Sequence, residues 1–121
     1  EDIQVTNVSD KGLSVGENSK VSAKAIKISN SSVAIAVKDG STLNINDSEI
    51  NNSKLVAIMA YTKKTPYGGG VVLANNVQII DTKNRLRSGL NSTITLDGIV
   101  AKKEKINVEE LYDSVMKSGL K

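Results

Sequence analysis

The side chains best suited to chemistry in this chain are gathered in one short stretch, Tyr-Thr-Lys-Lys-Thr-Pro-Tyr-Gly-Gly-Gly at 61–70. Tyr61 and Tyr67 offer flat faces able to stack on sugar rings, and Lys63 and Lys64 offer ammonium groups for carboxylate or phosphate. That combination reads as a ligand-binding loop. The competing reading is a solvated loop whose glycines simply let the backbone turn. A phosphate-binding loop is excluded, because the Gly-Lys-Ser/Thr ending and the helix that should follow it are both missing.

The acids are less well arranged for catalysis. Glycoside hydrolysis wants two carboxylates facing each other about 5–9.5 Å apart, whereas Asp39, Asp47, Glu49, Asp81 and Asp97 fall on different faces of the expected fold. Asp39 sits in a Lys-Asp-Gly turn whose counterparts one repeat away are Glu17 and a lysine-rich segment, so no facing pair assembles. A lyase would want calcium-binding acids on adjacent strands beside a basic residue; Arg85 and Arg87 are available without evident acidic partners. The chain has no Cys and no His. Thiol chemistry, histidine base catalysis and the usual zinc sites are therefore excluded, and neither a metal nor a cofactor is expected. A non-catalytic structural or ligand-binding module is the expectation, with a fragment of a polysaccharide lyase or hydrolase as one alternative and a pure scaffold that spaces other domains as another.

What must position these groups is a repeat. Ile-Ser-Asn-Ser at 28–31 returns as Ile-Asn-Asn-Ser at 50–53 and as Ile-Ile-Asp-Thr at 79–82, after a fainter Val-Thr-Asn at 5–7. The spacings of 23, 22 and 29 residues (5 to 28, 28 to 50, 50 to 79) are those of solenoids, in which each unit buries its apolar face only by stacking on the next. Within a period the apolar residues alternate in short pairs: Leu13 and Val15, Val21 and Ala23, Ile26 and Ile28; then Ile35 and Val37, Leu43 and Ile45, Ser48 and Ile50. The same phase gives Ile58 and Ala60, Val72 and Ala74, Val77 and Ile79, with Val71 and Leu73 as the alternative inward pair. Period-two alternation marks strands. The expected fold is all-β, a right-handed parallel β-helix of about four coils with three strands per coil over residues 1–106; a seven-strand sandwich is the rival, and would not carry a recurrent Asn-Ser at matching positions. The 61–70 stretch is then an insertion of six residues relative to Val37–Leu43.

Asn7, Asn30, Asn52 and Asp81 recur where one strand turns into the next coil. Stacked amides bond their equivalents above and below, and Asn and Asp tolerate the left-handed backbone of a tight corner, so these residues read as a structural ladder. Residues 107–121 change period. Asn107 with Glu110 forms a capping box, Gly119 stands at a helix stop, and Val108, Leu111, Tyr112, Val115 and Met116 share one side. A short C-terminal helix from about 108 to 118 is expected to cap the coil, docking on the outward Ala36 and Met59 or on the last turn near Leu96.

Charge narrows the partners. The net charge of +3 comes from 16 basic and 13 acidic residues spread along the chain, and the outward positions Gln4, Lys27, Glu49 and Gln78 are mixed in sign, so nucleic acid is not expected. Lys27 and Glu49 should be neighbours on adjacent strands. No stretch is long and apolar enough to span a bilayer as a helix. Because Ile3 and Val5 already hold the last strand phase of a coil, an upstream domain of the same longer chain is expected to cover the first strands.

Gly-Leu-Ser-Val-Gly-Glu-Asn-Ser (12–19), Val-Ala-Ile-Ala-Val-Lys-Asp-Gly-Ser (33–41) and Ala-Tyr-Thr-Lys-Lys-Thr-Pro-Tyr-Gly-Gly-Gly (60–70) resemble the right-handed β-helix repeats at the C-terminal end of bacterial extracytoplasmic proteins, of the kind found after CotH-type, spore-coat kinase-like domains. The resemblance spans roughly residues 1–98. It implies an extracellular or cell-surface accessory module with a polysaccharide or other cell-envelope ligand. No kinase motif is present in these residues, so that activity is not implied.

Overall fold

β-Branched residues at alternate positions favour extended chain, and the computed structural model of the protein is all-β over the residues it describes: 2–6, 11–64, 68–82, 84–107 and 109–110. As far as the ninth strand, odd and even strands go to different sheets; the two short strands that follow then join the first sheet and the second. The first sheet takes β1 (Asp2–Thr6), β3 (Lys20–Ser29), β5 (Thr42–Asn51), β7 (Val71–Ile80), β9 (Thr93–Leu96) and β10 (Ile99–Val100), in that order. The second takes β2 (Lys11–Val15), β4 (Val33–Lys38), β6 (Val56–Tyr61), β8 (Asn84–Gly89) and β11 (Lys103–Glu104). Every pairing is parallel except β9 with β10, which are joined through Asp97 and Gly98, both at positive φ as a two-residue hairpin with matching twist requires.

Pairing is in register from repeat to repeat. Val5 lies opposite Ile28, Ile28 opposite Ile50, and Ile50 opposite Ile79. In the second sheet Leu13, Ile35, Ile58 and Leu86 succeed one another in the same way. Inward residues of both sheets meet in one core built on Ile28, Ile35, Val37, Leu43, Ile45, Ile50, Ile58, Val72 and Ile94, all fully buried. Val72 and Ala74 are the inward pair of β7, while Leu73 is exposed.

Two expectations change. The repeat has two strands rather than three: the pairs expected to form separate second and third strands run together in the ten-residue strands β3, β5 and β7. Each is bent in the middle by one left-handed residue, Ala25, Asp47 or Asn76. The bend interrupts the backbone pairing, which passes from Lys24 opposite Asn46 to Lys27 opposite Glu49. There Ser48 supplies a partner: its Oγ accepts from the amide of Ile26 at 3.0 Å and donates to the carbonyl of Asn46 at 2.9 Å, which explains a polar residue at an inward position.

The second change is in β4 and β6, which are buried on both faces. Ala36 and Met59 join Val33, Val56 and Tyr61 in a second cluster on the far side of these strands, with Leu55 and Ile106 packed against it. Among the described residues the only helical backbone is at Glu109 and Glu110. The expected helix over 108–118 falls, apart from Glu109 and Glu110, outside them; of its expected docking surfaces, Ala36 and Met59 are covered by the second cluster with Leu55 and Ile106, and the capping contact is present, the amide of Glu110 donating to Asn107 Oδ1 at 3.1 Å.

Because Ile50 is fully buried, stacked between the buried Ile28 and the partly buried Ile79, Ile50→Ala should destabilise the protein by about 2–5 kcal/mol. Denaturant unfolding measures this. A loss below about 0.5 kcal/mol would contradict the packing described.

Candidate functional site

The insertion begins where β6 ends and is gripped at both of its ends by the preceding repeat. At its start the amides of Lys63 and Lys64 no longer have a strand to pair with, and both donate to one carboxylate oxygen, Asp39 Oδ1, at 2.8 and 2.9 Å. At its end the amide of Gly40 donates to the carbonyls of Gly68 and Gly69 at 3.0 and 3.1 Å. Asp39 and Gly40 form the left-handed corner after β4, with φ of 54° and 76°. Asp39 is fully buried. A buried carboxylate is retained here because it satisfies two amides that the ladder has released.

Two of the three glycines are wedged. A Cβ on Gly70 would strike the carbonyl of Val37, and one on Gly69 would strike the carbonyl of Asn91 and the hydroxyl of Ser92, whereas Gly68 has nothing within 4 Å. Gly70 occupies a column of small residues with Ser19, Ser41 and Ser92. The amide of Ser19 donates to Ser41 Oγ and that of Gly70 to Ser92 Oγ, each at 3.0 Å. The corner is thus tied through a hydroxyl where the inserted chain re-enters.

Of the three expected ligand-binding residues that are described, two are where a ligand could reach them. Lys63 and Lys64 are exposed, and Lys64 forms an ion pair with Glu17 two repeats away. Tyr61 is not a stacking platform: it is 1% exposed, packed with Met59 and Val56, because the alternation that puts Ala60 in the core puts Tyr61 in the second cluster. Tyr67 lies outside the described residues. The carboxyl of Glu17 is held below the ordinary glutamate range by its hydrogen bond to Lys64 and by the charge of that ammonium, with Lys38 adding in the same direction and Asp39 opposing.

The ladder residues Asn30, Asn52 and Asp81 all have left-handed φ, 60°, 57° and 50°. Asn52 Nδ2 donates to Asn30 Oδ1 at 2.8 Å, and the amides of Asn30 and Asn52 donate to the carbonyls of Asn51 and Ile80. Asn7 lies outside the described residues. A second ladder accompanies this one. Asn76 Nδ2 donates to Asp47 Oδ1 at 2.9 Å, and the Asn76 amide donates to Asp97 Oδ1 at 2.6 Å, so acids expected on different faces come to one crease at the strand bends. Its sequence signal is faint: Asp47 and Asn76 each stand two residues after an inward Ile45 or Ala74, but no shared tripeptide marks them as Asn-Ser marks the first ladder. Lys27 and Glu49 are cross-strand neighbours with Nζ and Oε2 3.9 Å apart.

Among the described residues no group of three acids, His or Cys could hold a metal ion, and no helix is long and apolar enough to cross a membrane. Comparison with family models, curated proteins and solved structures finds no match for the chain.

Two outcomes follow from this geometry. Gly70→Ala should destabilise by about 1–3 kcal/mol through overpacking against backbone, while Gly68→Ala should be within about 0.5 kcal/mol of the parent; parallel thermal melts give both, and equal melting temperatures would contradict the wedge. Glu17, with its folded pKa lowered, contributes stability that is present above its unfolded pKa and is lost as pH falls through the folded value. Lys64→Ala should return the Glu17 carboxyl to the ordinary range in an NMR titration, and added salt should do part of the same, because the pair is exposed.

Proposed function

We propose that the chain is a right-handed parallel β-helix acting as a non-catalytic structural module of a larger cell-surface or secreted bacterial protein. One observation carries this reading: equivalent residues stay in parallel register through the repeats of both sheets, so the described chain is spent almost wholly on stacking. Passing from β3 through β4 to β5, and from β5 through β6 to β7, joins parallel neighbours of one sheet by way of the other. Such crossovers are right-handed in about 98% of cases, which supplies the hand of the winding. The resemblance to β-helix repeats that follow CotH-type domains supports the same architecture and a place outside the cytoplasm, with an upstream domain of the longer chain as neighbour.

The acids support a structural role as well. Asp39 is committed to loop amides, Asp47 and Asp97 to Asn76, and Glu17 to Lys64, so each is engaged within the fold. Two experiments test the reading. Incubation with pectic, alginate and other uronate polymers should release neither unsaturated nor reducing ends, and release dependent on Asp47 or Glu49 would overturn it in favour of a lyase or hydrolase fragment. An epitope inserted at the open Gly68 of the full-length protein should be labelled on intact cells; labelling only after permeabilisation would remove the surface assignment.

A further inference from the structure

The bends of the long strands are held by Ala25, Asp47 and Asn76 at equivalent places on three successive strands, with φ of 57°, 51° and 54°. Asp and Asn tolerate this conformation through local hydrogen bonding; alanine has no such compensation, and its Cβ crowds the following carbonyl. Ala25 is therefore strained where a ladder residue would fit. The row that runs from Asp97 through Asn76 to Asp47 stops there, because the Ala25 side chain has no polar atom to extend it. A groove of about 340 Å³ opens at the same place, lined by Ala25, Lys27, Asp47, Glu49, Asn76 and Gln78. Residues in strained backbone are often kept for function.

We propose that this crease is a binding site for an uncharged, hydroxyl-rich ligand, a segment of neutral glycan, and that Ala25 is kept because a longer side chain would fill it. Asp47 Oδ1 is held by Asn76, which leaves Asp47 Oδ2 and the Glu49 carboxylate to accept hydrogen bonds, Lys27 to donate, and Gln78 and the second N–H and the oxygen of the Asn76 amide to do both. The ion pairs Lys24–Asp47 and Lys27–Glu49 are loose, 4.0 and 3.9 Å, so both signs remain on the walls. A polyanion meets Asp47 and Glu49, a polycation meets Lys27, and sugar hydroxyls, each donor and acceptor, match both without a net charge. The walls repeat from strand to strand at about 4.8 Å, which suits an extended chain lying across the strands, and the volume falls in the range of small-ligand sites. This site goes beyond the structural role and does not involve the 61–70 loop.

The test is an NMR titration of the isotope-labelled protein with cello-, xylo-, malto- and chito-oligosaccharides, with oligogalacturonate as the charged comparison. A neutral series should shift the amides of Ala25, Lys27, Asp47, Glu49, Asn76 and Gln78 at millimolar concentration. Ala25→Asn should raise the melting temperature by a few degrees while weakening binding by about tenfold or more, as expected when one good hydrogen bond to the ligand can no longer form. Gln78→Ala should weaken binding at unchanged melting temperature. No shift with any neutral series, stronger binding of oligogalacturonate, shifts confined to 61–70, or undiminished affinity in Ala25→Asn would each overturn the proposal. Cleavage of a polymer would instead overturn the structural reading, so the two failures are distinguishable.

Discussion

Parallel pairing between equivalent residues of successive repeats is the constraint on which the rest of the molecule depends. Once Ile28 is hydrogen-bonded opposite Ile50, and Ile50 opposite Ile79, each position along the repeat is stacked on its own kind. Apolar positions then fill the core as columns. Polar positions have to find their partner on the neighbouring strand, which is how Asn30 and Asn52, Ser19 and Ser41, and Asp47 and Asn76 come to bond across a repeat. A slip of one residue would turn every inward side chain outward. Register is therefore fixed by the core, and the ladders at the corners record it.

The same constraint decides what can be read from the residues alone. Period-two alternation identifies the inward columns, and the repeat spacing identifies which residues are neighbours, down to Lys27 beside Glu49. Backbone direction within a repeat is less legible. Ala25 gives no hint of a left-handed bend, because alanine has no side-chain hydrogen bond to favour one, and so β3 reads as two strands. The burial of Tyr61 has a different cause. Val-Ala-Ile-Ala-Val at 33–37 and Val-Ala-Ile-Met-Ala at 56–60 are continuous apolar runs, the mark of strands covered on both faces. Alternation accounts for only half of each run; the other half faces the second cluster and takes Tyr61 out of solvent with it.

The crease and the loop show two ways in which one winding chain departs from regularity. At the crease the departure is subtractive. Asp47 and Asn76 show what the corner prefers, and Ala25 withholds it, leaving open volume between the walls. At the loop it is additive. Six further residues enter between Ala60 and Val72, yet the strands on either side keep register, Val37 opposite Ala60 and Leu43 opposite Val72.

Register survives the insertion because the break is placed where the repeat is least dependent on side-chain volume. The corner column is Ser19, Ser41, Gly70 and Ser92, small enough for backbone to pass close to backbone, and hydroxyls there bond amides that a continuous ladder would have paired. What small residues cannot do is satisfy the two amides at the point of departure, since no strand lies opposite them. That falls to Asp39, a fully buried acid, which stands one repeat earlier and offers a single oxygen to Lys63 and Lys64 together. An insertion in a stacked fold thus needs an acceptor in the preceding repeat as well as space in its own, and the Asp-Gly corner with its column of small neighbours meets both needs at once.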